Sequence, residues 1–74
     1  MNKYKVRYHF SNDFYVMREV EAEGNKEGVL EAYSSGDRIS FEDKRGDLIS
    51  FLMKDVKLIT IEDERTKYTN IAGF

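Results

Sequence analysis

Lys3-Tyr4-Lys5-Val6-Arg7-Tyr8-His9-Phe10 alternates without a break between a basic or polar side chain and an apolar one. A period of two puts Tyr4, Val6, Tyr8 and Phe10 on one face and Lys3, Lys5, Arg7 and His9 on the other, so the stretch predicts a half-buried β-strand. Ser11-Asn12-Asp13 follows, and short polar side chains that bond their own backbone favour a turn. With those three as the loop, Phe10 meets Phe14, Tyr8 meets Val16, Val6 meets Arg18 and Tyr4 meets Val20. On the other side Lys5 then faces Glu19 and Lys3 faces Glu21. A two-residue Asn12-Asp13 turn would set Val6 against Glu19 and Tyr4 against Glu21, and register is chosen to keep apolar groups together. The three-residue loop is therefore expected.

The second strand should end near Ala22 or Glu23, where Gly24-Asn25 interrupts the pattern and Asn25 can cap a helix. A short helix is expected from Lys26 to Ser35, with Val29, Leu30 and Tyr33 at helical spacing and Gly36 closing it in the left-handed region. Gly28 in its first turn costs about 1 kcal/mol relative to Ala, so this helix depends on docking. Arg38 to Glu42 alternates again, Asp43-Lys44-Arg45-Gly46-Asp47 turns, and Leu48 to Met53 runs back. A three-residue loop with a left-handed Gly46 sets Phe41 opposite Ile49 and Ile39 opposite Phe51. Beyond Lys54-Asp55 lies a last apolar stretch, Val56 to Ile61. The expected architecture is one α+β domain over residues 1–62, two antiparallel β-hairpins flanking one short helix (ββαββ), with a further C-terminal strand possible. Residues 63–74 form a tail, an edge strand or a mobile segment.

Composition limits what such a domain can be. The 74 residues are 41% hydrophobic, with five Tyr and five Phe, and 35% charged, which suits a folded domain with a thin core that buries about 60% of its unfolded surface. The absence of Cys excludes disulfides and thiolate metal sites. No apolar run approaches the roughly 20 residues of a membrane-spanning helix, and the N-terminus reads as a strand rather than a signal segment, so a cytoplasmic protein is expected. A net charge of −2 marks neither a nucleic-acid binder nor a mimic of the phosphate backbone.

Leu48 to Ile61 carries apolar side chains on both faces, more than one short helix can cover. A sheet closing on itself or a second subunit would cover them, and a homodimer is the expectation. Tyr15 and Met17 lie on an otherwise charged face of the second strand; with Tyr68, Ile71 and Phe74 of the tail they are the candidate protein-contact residues. Lys5, Arg7 and His9, with Lys3 beside them and Tyr15 to stack a base, form the alternative candidate, a nucleic-acid-binding stripe. Cross-strand pairing with Glu19 and Glu21 accounts for the two lysines equally well. His9 is the only histidine, and no nucleophile motif or second ligand accompanies it, so no catalytic residue, metal or cofactor is expected. The acidic groups Glu42-Asp43 with Asp47, and Glu62-Asp63-Glu64, read as solvated carboxylates; the first lacks the spacing of a calcium loop and has Lys44 and Arg45 inside it.

Ile39-Ser40-Phe41-Glu42-Asp43, Gly46, Leu48-Ile49-Ser50-Phe51, then Val56 with Ile59 and Ile61 resemble small ββαββ domains from phages and prophages of low-GC Gram-positive bacteria. The resemblance covers Lys3 to Glu62 and implies a binder or inhibitor of cellular machinery rather than a catalyst. The last strands are also similar to those of Sm-like barrels, from which the long first hairpin and the central helix depart. A non-catalytic, protein-binding accessory or regulatory protein is thus the functional expectation.

Overall fold

The computed structural model describes residues 2–63. In chain order these form β1 (Asn2–His9), β2 (Tyr15–Ala22), α1 (Lys26–Ser34), β3 (Arg38–Glu42), β4 (Leu48–Leu52), a single 3₁₀ turn (Met53–Asp55) and β5 (Leu58–Asp63). The architecture is the expected α+β layout of two antiparallel hairpins around one helix, and the additional strand β5 pairs antiparallel with β1. The order β2-β1-β5 makes a three-stranded sheet, while β3 and β4 form a separate two-stranded one. β5 runs through Asp63, which is buried.

Both hairpins take the register that keeps their apolar residues together. Tyr4 lies opposite Val20, Val6 opposite Arg18 and Tyr8 opposite Val16, with Lys5 facing Glu19 and Lys3 facing Glu21. The Phe10 amide donates to the Phe14 carbonyl at 2.9 Å, closing the three-residue loop. In the second hairpin Phe41 faces Ile49 and Ile39 faces Phe51. The Gly46 amide donates to the Asp43 carbonyl at 3.1 Å, and the Asp43 amide donates to the Asp47 carbonyl at 3.0 Å. This loop needs a left-handed residue, and Gly46 supplies it with φ of 86°. Gly46→Ala meets no neighbouring atom, so its cost is conformational, about 1–2 kcal/mol. A urea titration should show the midpoint fall with an unchanged slope.

Helix α1 is held to β1 at both ends. Asn25 caps it, its side-chain oxygen accepting from the Gly28 amide at 3.0 Å. The Tyr4 hydroxyl donates to the carbonyl of Gly24, just before the cap, at 2.7 Å. The Tyr8 hydroxyl donates to the carbonyl of Tyr33, in the last turn, also at 2.7 Å. Four strand residues span about 14 Å, and the nine-residue helix is also about 14 Å long. The helix consequently runs alongside β1 in the same direction, and a carbonyl left over at its C-terminal end is satisfied by a buried phenol.

Tyr4, Val6, Tyr8, Val20, Val29, Ile39 and Phe41 form the buried core. The second hairpin folds across the same face of the three-stranded sheet as the helix. Phe51 joins the two layers, its ring 4.9 Å from that of Tyr8 and 5.1 Å from that of Phe10. This packing corrects the reason given above for a second subunit. Ile49, Phe51, Met53, Val56, Ile59 and Ile61 all pack against the core, because the hairpin that carries Ile49 and Phe51 also serves as the cover. Leu48 and Leu58 remain exposed.

Candidate functional site

The outer face of the three-stranded sheet, opposite the helix and the second hairpin, is an ordered grid. The registers of β2, β1 and β5 place Tyr15, His9 and Leu58 in one row across the sheet. Met17, Arg7 and Thr60 make the next, then Glu19, Lys5 and Glu62, and finally Glu21 with Lys3. One end of the face is aromatic and aliphatic, and the other is charged. Tyr15 is 49% exposed and Leu58 57%, while His9, Arg7, Met17 and Thr60 between them are half-buried.

The side chains of this face are coupled. The His9 ring lies 5.2 Å from that of Tyr15, tilted by 41°, and its Nε2 hydrogen-bonds Thr60 Oγ1 at 3.2 Å. The Arg7 guanidinium stands 5.9 Å from the Tyr15 centroid and pairs with Glu62 at 3.6 Å. The remaining oxygen of Glu62, Oε2, is enclosed and has no hydrogen-bond partner among the described residues. Glu19 forms an ion pair with Lys44 from the β3–β4 turn. That hydrogen bond, followed by the charges of Lys44, Lys5 and Lys3, holds the Glu19 carboxyl below the usual carboxylate range. Lys3, Lys5 and Arg7 are thus matched by Glu19, Glu21 and Glu62, and the stripe that reads as basic in β1 alone belongs to a neutral face.

Two candidate contact residues, Tyr15 and Met17, come together here with all three of the alternative set, Lys5, Arg7 and His9. Tyr68, Ile71 and Phe74 lie outside the described residues. Sequence reasoning missed Leu58, Thr60 and Glu62, which complete the grid. Their alternation places them on one face of β5, but which face follows only from the pairing of β5 with β1. It also missed Arg18, which points inward; its guanidinium sits 4.9 Å from the Tyr33 centroid and 4.6 Å from that of Phe41.

The other concavities are shallower in chemistry. A cleft of about 350 Å³ between the β2 edge and the β3–β4 turn is lined by Met17, Arg18, Glu19, Glu42, Asp43, Lys44 and Arg45, with both charge signs mixed. The acidic turn there is structural: Asp43 Oδ1 accepts the amides of Arg45 and Asp47, both at 2.9 Å. The Arg45 guanidinium lies 3.9 Å from Asp43 and 3.5 Å from Asp47. Among the described residues no group of three or more His or acidic side chains is placed to hold a metal ion, and no helix is long and apolar enough to cross a membrane. His9 and Thr60 make a base and hydroxyl contact, but among the described residues no third group orients the imidazole as nucleophilic catalysis requires.

No protein-family model matches the chain, and no curated protein or solved structure matches it.

Proposed function

We propose that this chain is a non-catalytic accessory or regulatory domain that docks on protein through the outer face of its three-stranded sheet, centred on Tyr15 and Met17. The observation that carries this reading is the Tyr15, His9, Leu58 row, exposed at both ends, beside Met17 and Arg7 and bordered by balanced charge. Aromatic residues, Met and Arg are enriched at protein interfaces, and balanced charge alongside them suits an interface border. The resemblance to small phage-type ββαββ domains, with a cytoplasmic setting, points the same way. Binding of nucleic acid through Lys5, Arg7 and His9 is the second reading, favoured by the position of Arg7 over the exposed Tyr15 ring. It ranks second because Glu19, Glu21 and Glu62 flank that stripe on β2 and β5 and offset its field.

The test is capture from a bacterial lysate by the full chain, with and without nuclease. Tyr15→Glu with Met17→Glu should abolish retention of the captured protein while leaving the circular dichroism spectrum intact. Leu48→Glu, at a residue 74% exposed on the second hairpin, should not. Retention unchanged by the Tyr15 and Met17 substitutions would overturn the proposal. Retention lost on nuclease treatment, with affinity falling steeply as salt rises and on Arg7→Ala, would establish the nucleic-acid reading in its place.

A further inference from the structure

We infer that the occupant of this face is a second copy of the chain, in a two-fold dimer whose axis runs parallel to the strands along the boundary between β1 and β2. The inference rests on the reading of the outer face as a docking surface and specifies its partner. Sheets that pack face to face lie about 10 Å apart with strands aligned to within about 30°. A two-fold axis along the strands preserves the rows and exchanges the columns, so β1 of each copy lies over β2 of the other. His9 then meets the partner's Tyr15, Arg7 the partner's Met17, Lys5 the partner's Glu19 and Lys3 the partner's Glu21. Each contact occurs twice, as an isologous interface requires. The same pairings that give the β1–β2 ladder its matched charges make the face complementary to itself.

Other placements fail on the same grid. An axis directly above β1 stacks Arg7 on Arg7 and Lys5 on Lys5, which like-charge repulsion opposes. An axis across the strands lays the Tyr15, His9, Leu58 row over the Lys3 and Glu21 end. An axis between β1 and β5 sets Lys5 over Glu62 but leaves Tyr15 and Met17 uncovered. The boundary between β1 and β2 alone covers Tyr15, His9, Met17 and Arg7 together at one end of the interface and joins opposite charges at the other, where charges set orientation more than affinity.

Sedimentation equilibrium of the full chain from micromolar to millimolar concentration should show a monomer–dimer equilibrium. Lys3→Glu with Lys5→Glu in one variant, and Glu19→Lys with Glu21→Lys in another, should each weaken self-association by roughly tenfold or more. An equimolar mixture of the two should associate again, because every inter-chain pair is then of opposite sign. These exchanges also disturb pairing within a chain, so a second measurement uses the unaltered protein. In a mixture of isotope-labelled and unlabelled chains, filtered NOEs are expected between the Met17 methyl and Arg7, and between the Tyr15 and His9 rings. A monomer at millimolar concentration, or a dimer whose NOEs arise elsewhere, overturns the inference. If lysate capture still depends on Tyr15 and Met17 in a chain that stays monomeric, the docking face stands and the second copy as its occupant falls. Failure of both measurements removes both.

Discussion

Tyr8→Ala should remove a large share of the chain's stability. Tyr8 has no exposed surface; its ring packs on Phe51 and stands 6.2 Å from Phe41, and its hydroxyl holds the C-terminal end of α1. Truncating a buried aromatic to Ala costs about 3–5 kcal/mol. A chain of 74 residues has roughly 4–11 kcal/mol of stability in all. Tyr8→Phe separates the two contributions: the ring stays, the Tyr33 carbonyl loses its partner, and the cost should be about 1–2 kcal/mol. The phenol also gives stability a pH dependence. Burial raises the Tyr8 pKa above its ordinary 10.0, although the hydrogen bond and charge of Arg18 partly offset this. A raised folded value means that the contribution is whole below the unfolded pKa and is lost as pH climbs through the folded one. Urea midpoints measured from neutral to strongly alkaline pH should decline less steeply in Tyr8→Phe than in the parent chain. Equal slopes would show that another group governs the alkaline limb.

Arg18→Ala is expected to cost about 2–3 kcal/mol, a large loss for a charged residue on an edge strand. A surface arginine in an exposed ion pair contributes about 0–1 kcal/mol, but Arg18 points into the molecule. Its guanidinium lies against the Tyr33 and Phe41 rings, so it joins β2 to α1 and to β3. Arg18→Met keeps the apolar stem and should recover about half of the loss. Arg18→Lys keeps the charge without the planar stack and should recover less than a full replacement. A loss below about 0.5 kcal/mol on Arg18→Ala would show the stacking to be energetically idle.

Local features made both hairpins legible. Period-two alternation selected the faces, apolar cross-strand pairing selected the three-residue Ser11-Asn12-Asp13 loop over a two-residue turn, and Gly46 selected the second loop. Asn25 and the spacing of Val29 and Tyr33 located the helix, which ends at Ser34, one residue short of expectation. Long-range partners were not legible. The Tyr4 and Tyr8 hydroxyls bond carbonyls 20 and 25 residues away, and alternation shows only that these side chains face a core. Arg18 was placed opposite Val6, yet nothing in its neighbours announced two aromatic rings from other elements. The apolar excess between Leu48 and Ile61 was counted as though each strand needed an outside cover. Ile49 and Phe51 of β4 instead cover the first sheet, to which Ile59 and Ile61 of β5 themselves belong. For the contact face, Tyr15, Met17, His9 and Arg7 could be brought together from the first hairpin alone, whereas Leu58 and Glu62 required the β1–β5 pairing.

The anchoring of α1 at Gly24 and Tyr33 turns β1 into a gauge for helix length. One added turn near Leu30 would lengthen the helix by about 5 Å while the distance between the two phenols stays fixed, so one anchor would have to let go. Residues added among Ser11, Asn12 and Asp13 meet no such restraint, because a longer loop raises the entropic cost only slowly. Room for growth in this small fold therefore lies at the tip of its first hairpin, and the span along its central strand is closed to it.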